Sequence, residues 1–162
     1  SSFGSGVIVG GYFLNNELTD FDMKPQVDGR WVANRPDSGK RPRSSMSPTL
    51  VFGPDGKLRL AVGAAGGWTI PAQVLRVVIG VVDWDLSAQD AIALPVILPA
   101  GPNTLFVEQG TSLERMIPAL QALGHSDIKA RPPMFKANAI EVKNGRLVGG
   151  VDPRSEGQAI GE

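Results

Sequence analysis

Two carboxylates three residues apart, Glu17 and Asp20, follow closely on an apolar stretch that ends at Leu14. At that spacing they could converge just beyond a strand end. There they could bind a cation, hold an ammonium group or share acid/base work. The same pair could equally cap a helix or turn. A second segment, Gly39-Lys40-Arg41-Pro42-Arg43-Ser44-Ser45-Met46-Ser47-Pro48-Thr49, sets two adjacent serines between prolines, with three cations just upstream. Hydroxyls and backbone amides held in a rigid turn can bind a carboxylate or phosphate oxygen, unless the segment is only a polar loop entering a hairpin. A third, Val62-Gly63-Ala64-Ala65-Gly66-Gly67-Trp68-Thr69-Ile70, joins a strand to an apolar helix. Small residues there let backbone approach a ligand, and a helix N-terminus aims N–H groups at negative charge, as a developing oxyanion requires. A tight strand-to-helix turn with no ligand has the same composition.

The remaining chemistry is narrowed by what the chain lacks. It has no cysteine and a single histidine, His125. A thiolate nucleophile, a disulfide framework and a multi-histidine metal site are thereby removed, and neither a metal nor a cofactor is expected. Gly-Lys-Arg lacks the glycine spacing of a phosphate loop, and 63–67 lacks that of a dinucleotide fingerprint. Sixteen basic and sixteen acidic residues cancel, so nucleic acid and anionic membranes are not favoured partners. No apolar run approaches the ~20 residues that span a bilayer.

The elements that must position these groups fit one domain over residues 1–162. With 42% hydrophobic and 20% charged residues, the composition is that of a soluble globular chain. Residues 7–14 predict a strand kinked at Gly10-Gly11. Residues 22–40 hold Asp28-Gly29, Arg35-Pro36-Asp37 and Ser38-Gly39 among few apolar residues, which predicts a long surface loop, with Trp31 as its anchor. Hairpins are predicted where 49–52 and 57–62 flank Asp55-Gly56, and where 139–142 and 146–148 flank Asn144-Gly145. Residues 70–82, apolar on nearly every side, predict a helix buried between layers, while their β-branched content keeps a strand reading open. Ser87 with Asp90 predicts a short capped helix, and 104–108 a strand. Thr111 with Glu114 predicts a capping box, followed by one helical stripe of Leu113, Met116, Ile117, Leu120 and Leu123 closed by Gly124. Strands, then helices, then a mixture indicate an α+β class.

Taken in order, Leu-Asn-Asn-Glu-x-x-Asp-Phe at 14–21, Lys-Arg-Pro-x-Ser-Ser-Met-Ser-Pro-Thr at 40–49 and Gly-x-x-Gly-Gly at 63–67 resemble the gamma-glutamyltransferase (gamma-glutamyltranspeptidase) family. Asp152-Pro153-Arg154 looks like that family's closing motif. The resemblance runs over the whole chain and is least at 22–38 and 124–138; Thr19 stands where many members have Asp. It implies part of an N-terminal-nucleophile hydrolase αββα sandwich, the small-subunit core of a precursor that cuts itself in two. It also implies that a new N-terminal Thr attacks a γ-glutamyl amide of a donor such as glutathione, through an acyl-enzyme. Glu17 and Asp20 would hold the substrate α-ammonium, Ser44 and Ser45 its α-carboxylate, and the N–H groups of Gly66 and Gly67 would form the oxyanion hole. The large subunit of the same precursor is the implied partner, supplying a carboxylate-binding Arg, and a periplasmic or extracellular location is implied. Met46 is expected to pack beneath the serine turn. The nucleophilic Thr and a substrate-contacting Asn fall upstream of the segment that Ser1-Ser2-Phe3-Gly4-Ser5-Gly6 matches. The chain therefore reads as cut from something longer and inactive by itself, although Ser1 is an N-terminal hydroxyl residue whose amine could act as a base. A non-catalytic glutamate- or amino-acid-binding module, or a related acylase acting on another acyl group such as a cephalosporin side chain, are the alternatives.

Overall fold

A computed structural model describes residues 4–133 and 135–160. Ser1, the N-terminal hydroxyl residue considered above, lies outside the described residues. The chain folds as two compact units, Ser1–Ser44 and Ser45–Glu162.

In the first unit the apolar stretch is a hairpin rather than one kinked strand. β1 (Ile8–Val9) and β2 (Tyr12–Phe13) pair antiparallel. Gly10 and Gly11, at φ 62° and 89°, form the reversal; two successive positive φ values give the turn whose twist matches the flanking strands. A 3₁₀ helix, Glu17–Asp20, follows. The expected surface loop contains a second small hairpin, β3 (Gln26–Val27) and β4 (Arg30–Trp31), turned by Asp28 and Gly29 at φ 50° and 72°. Trp31 is not buried as an anchor: it is 64% exposed and lies under the Arg35 guanidinium at 4.9 Å.

The second unit carries the core. β5 (Thr49–Phe52) and β6 (Leu58–Ala65) form the first predicted hairpin. A 3₁₀ turn, Gly67–Thr69, leads into α1 (Ile70–Val82), and α2 (Ala88–Ala93) is capped by the Ser87 hydroxyl, which accepts from the Asp90 N–H. β7 (Ile97–Pro99) pairs antiparallel with β8 (Thr104–Glu108), which pairs parallel with β9 (Asp127–Arg131). A parallel pair needs a crossover, here α3 (Ser112–Arg115) and α4 (Ile117–Ala122). The predicted single helix is thus two. Pro118 falls in the first turn of α4, where its missing N–H costs nothing, and the chain breaks at Met116 to put it there. The capping box is also displaced: the Thr111 hydroxyl accepts from the Leu113 N–H, and Glu114 accepts from the Gly110 N–H.

β10 (Lys136–Lys143) and β11 (Arg146–Val151) complete a four-stranded antiparallel sheet ordered β11-β10-β6-β5. Because side chains alternate across a strand, Leu60, Val62, Ala137 and Ala139 face α1 and α2. They bury with Ile70, Val74, Val77, Val81, Ala91 and Ile92. The opposite row, Leu50 beside Ala61, Ile140 and Gly149, looks away from the helices. One helical layer on one sheet is the α+β arrangement expected, and it forms part of the αββα sandwich. α1 is not covered all round: Leu75 is 59% exposed on its outer side, beside Trp68 and Trp84.

Candidate functional site

The acidic pair occupies the 3₁₀ helix Glu17–Asp20. Three residues per turn stack positions i and i+3 on one side of such a helix, so both acidic residues start from the same side of one turn. They do not cap that helix. The Asn15 Oδ1, one residue before the N-cap Asn16, accepts from the Glu17 N–H at 3.1 Å, and the Thr19 hydroxyl donates back to the Asn16 carbonyl at 2.7 Å. The Glu17 carboxylate is thereby left to the neighbouring chain, where the Ser44 hydroxyl donates to its Oε1 at 3.3 Å. A carboxylate that attracts an ammonium and a hydroxyl that can donate to a carboxylate stand side by side.

One side chain holds these two pieces together. Asn34 Nδ2 donates to the Asp20 carbonyl at 2.7 Å, and its Oδ1 accepts from the Arg43 N–H at 2.8 Å. Its own carbonyl accepts from the Asp22 N–H at 3.0 Å. The exit of the acidic turn and the approach to Ser44 are stapled through the loop that the sequence marks only as surface. The signal that could have revealed this residue is an Asn in a turn-rich segment, whose amide can serve a donor and an acceptor at once.

Ser45, Gly66 and Gly67 belong to the second unit. The Ser45 carbonyl accepts from the Ser47 hydroxyl at 3.0 Å. Met46 is 64% exposed, so it is not buried beneath the serine turn. Gly66 and Gly67 adopt φ 129° and 61°, a region that side chains strongly disfavour, which accounts for paired glycines at the end of β6. Both are exposed. Their amides stand where a helical run begins and N–H groups lack intrahelical acceptors. Behind them Thr69 and Gln73 are 4% and 0% exposed. The Thr69 hydroxyl donates to the Gly66 carbonyl at 3.0 Å. Gln73 Nε2 donates to the Ala65 carbonyl at 3.0 Å and to Thr69 Oγ1 at 2.9 Å, and its Oε1 accepts from the Lys136 N–H at 3.1 Å. Sequence reasoning passed over both residues.

Asp152 and Arg154 of the closing motif form a buried ion cluster with Glu108. Arg154 donates through Nε and Nη2 to both Glu108 oxygens at 2.6 and 2.9 Å, and through Nη1 to Asp152 at 3.1 Å. It also serves the carbonyls of Ile92, Ala93 and Leu94 at the end of α2. Burial opposes its charge, but the bonds to the two carboxylates outweigh burial and raise its pKa. Arg76 lies nearby with Nη1 on the Leu94 carbonyl, while Nε and Nη2 are buried without an acceptor among the described residues. Burial first, and the charge of Arg154 second, lower its pKa to about 10.

Comparison with known proteins identifies the family. The profile of the family described as Gamma-glutamyltranspeptidase matches residues 1–162. The glutathione hydrolase proenzyme of Escherichia coli (strain K12) is 36% identical over 164 residues, covering 96% of this chain and 28% of that protein. That of Bacillus subtilis (strain 168) is 33% identical over 163 residues, covering 98% and 27%. The chain therefore spans little more than a quarter of the length of these curated relatives. Among solved structures, gamma-glutamyltranspeptidase from Pseudomonas nitroreducens complexed with L-DON superposes with a TM-score of 0.79 at 30% identity, covering 99% of this chain and 88% of that one. A Helicobacter pylori gamma-glutamyltranspeptidase mutant does so with a TM-score of 0.79 at 33% identity, covering 96% and 89%. With the three motifs in order, the fold shared and the match running end to end, the chain belongs to the gamma-glutamyltranspeptidase family.

Proposed function

We propose that the whole protein of which this chain is a part cleaves γ-glutamyl amides and passes the glutamyl group to water or to an amine. The observation that carries the reading is the Ser44–Glu17 contact at 3.3 Å. An α-amino acid head bears an ammonium and a carboxylate on one carbon, so its receptor needs a carboxylate and a donor within a few ångströms of each other. Glu17 and Asp20 take the ammonium; Ser44 and Ser45 take the carboxylate. Each bond to a charged group contributes about 1.5–3 kcal/mol, enough to select donors that keep both groups.

The nucleophile is the hydroxyl of an N-terminal Thr carried by the rest of the protein, with its own α-amine as base. Its oxygen bonds to the γ-carbonyl carbon, and the carbonyl electrons move to oxygen, where the Gly66 and Gly67 N–H groups meet the charge. Collapse breaks the C–N bond, and the amine leaves with the proton first taken from the hydroxyl. Water or an acceptor amine then attacks the ester and returns the Thr. The large subunit of the same precursor is the partner, and glutathione-like peptides are the donors. Among the described residues no helix is long and apolar enough to cross a membrane; a periplasmic or extracellular site of action is part of the proposal.

The test is expression of the full-length precursor. It should cleave itself and release p-nitroaniline from γ-glutamyl-p-nitroanilide, and Ser44→Ala should lower kcat/KM by about 10- to 100-fold, the loss of one charged hydrogen bond. A correctly processed protein that turns over no γ-glutamyl donor sinks the assignment.

A further inference from the structure

Glycines at 66 and 67 allow the backbone conformation an oxyanion hole needs, but glycine also leaves peptide planes free to swing. Donors that wander give little transition-state stabilisation, because the benefit comes from dipoles fixed before the charge appears. Something must pin these two planes.

A trans peptide is planar, so the direction of one residue's C=O sets the opposite direction of the next residue's N–H. The Gly66 N–H shares its plane with the Ala65 carbonyl, and the Gly67 N–H with the Gly66 carbonyl. Both carbonyls are held from behind by side chains: Gln73 Nε2 grips Ala65 at 3.0 Å, and Thr69 Oγ1 grips Gly66 at 3.0 Å. The two side chains are joined at 2.9 Å, and Gln73 is anchored by the Lys136 N–H at 3.1 Å. That accounts for both amide hydrogens and the carbonyl of Gln73. Thr69 and Gln73 are four apart on one helical face, which is the spacing that lets them meet. The bond that joins the two side chains is buried, and a bond to each carbonyl oxygen polarises its amide so that the N–H donates more strongly.

We infer that Thr69 and Gln73 are positioning residues for the oxyanion hole, orienting and polarising the Gly66 and Gly67 amides through the carbonyls of Ala65 and Gly66. The inference rests on the proposed role of those amides. A relay of this kind acts on the transition state and not on the amino-acid head of the donor, so it should change kcat and leave KM alone.

The experiment uses the full-length processed enzyme, at a temperature well below melting and with rates normalised to titrated active sites. Thr69→Val keeps the branched shape and deletes the donor. It should lower kcat about tenfold, less than the roughly 100- to 1,000-fold lost when an oxyanion donor is removed outright, with KM within about twofold. Thr69→Ser restores the hydroxyl and should recover kcat to within about twofold. Amide shifts of Gly66 and Gly67 in glycine-labelled full-length protein are the second readout, moving in Thr69→Val and returning in Thr69→Ser. A Thr69→Val enzyme that melts earlier but keeps its kcat and its Gly66 and Gly67 shifts overturns the relay and leaves a structural role only. If the wild type itself turns over no donor, the functional reading fails, and the relay is judged on the amide shifts.

Discussion

Replacing Arg154 with methionine takes away a cation while leaving the carboxylates it serves in place. The Arg154 side chain is 11% exposed, Glu108 5% and Asp152 0%, so none of the three is relieved by water. Breaking a buried pair by removing one partner costs about 3–5 kcal/mol, because the other charge stays behind uncompensated. Two local details adjust that figure in opposite directions. Glu108 keeps the Val96 N–H, and Asp152 keeps the N–H groups of Ala137 and of residue 154, which soften the loss. Against this, the carbonyls of Ile92 and Ala93 at the end of α2 lose their cationic donor, while Leu94 keeps Arg76, and helix ends need such partners. A net loss of about 4 kcal/mol stands. For a cooperative unit of about this size each kcal/mol moves the melting temperature by about 2–4 °C, so the transition that melts this unit should fall by roughly 10 °C. Circular dichroism melting of the full-length protein measures it, and amide exchange at the end of α2 shows whether the loss is local. Arg154→Lys keeps a charge but not the fork to Glu108, and should fall between wild type and Arg154→Met. An Arg154→Met protein melting within about 3 °C of wild type would refute the reasoning and mean that solvent reaches the cluster.

Two further expectations rest on single side chains. Asn34→Ala removes bonds to the Asp20 carbonyl and the Arg43 N–H, worth about 1 kcal/mol each. The Glu17–Asp20 turn and Ser44 then lose their spacing, so KM for the γ-glutamyl donor should rise about tenfold while kcat holds; an unchanged KM removes Asn34 from the site. In β8 and β9, the Thr104 hydroxyl first and Lys129 second hold the Asp127 carboxyl below its ordinary pKa. A depressed acid pKa contributes stability that is present above the unfolded value of about 3.9 and lost as pH falls through the folded one. Thr104→Ala should therefore move the Asp127 midpoint, followed by carboxyl NMR, up toward that value, and any stability gap from wild type should close below about pH 3.9. An unmoved midpoint would show that the hydroxyl contributes nothing.

What could be read from the sequence divides by how near a residue's physical cause lies. Asn144-Gly145 makes its turn, and α1 runs over 70–82 as the pattern predicts, because these depend on backbone preferences and a periodicity a few residues long. Glu17 and Asp20 share one short turn for the same reason: a 3₁₀ helix repeats every three residues. Gly10-Gly11 and the break before Pro118 are also local, but each allows two outcomes. A glycine pair permits a kink or a reversal, and a proline inside an apolar stripe permits a bend or a fresh start. The positioning side chains lie beyond such reasoning. Glu141 lies in a predicted hairpin strand with nothing nearby in sequence to mark it, yet its carboxylate accepts from the Ala88 N–H 53 residues away. Glu108 meets Arg154 across 46 residues. Gln73 reads as one polar residue in an apolar helix, and its role exists only once β10 brings the Lys136 N–H to its carbonyl. The groups proposed to touch substrate thus lie in short motifs that announce themselves, while the groups that aim them are scattered polar residues, each silent until burial leaves it one partner to satisfy. A buried polar side chain whose hydrogens are spent on a glycine turn and on its neighbour beneath that turn is therefore a better pointer to the working parts of this site than any further motif would be.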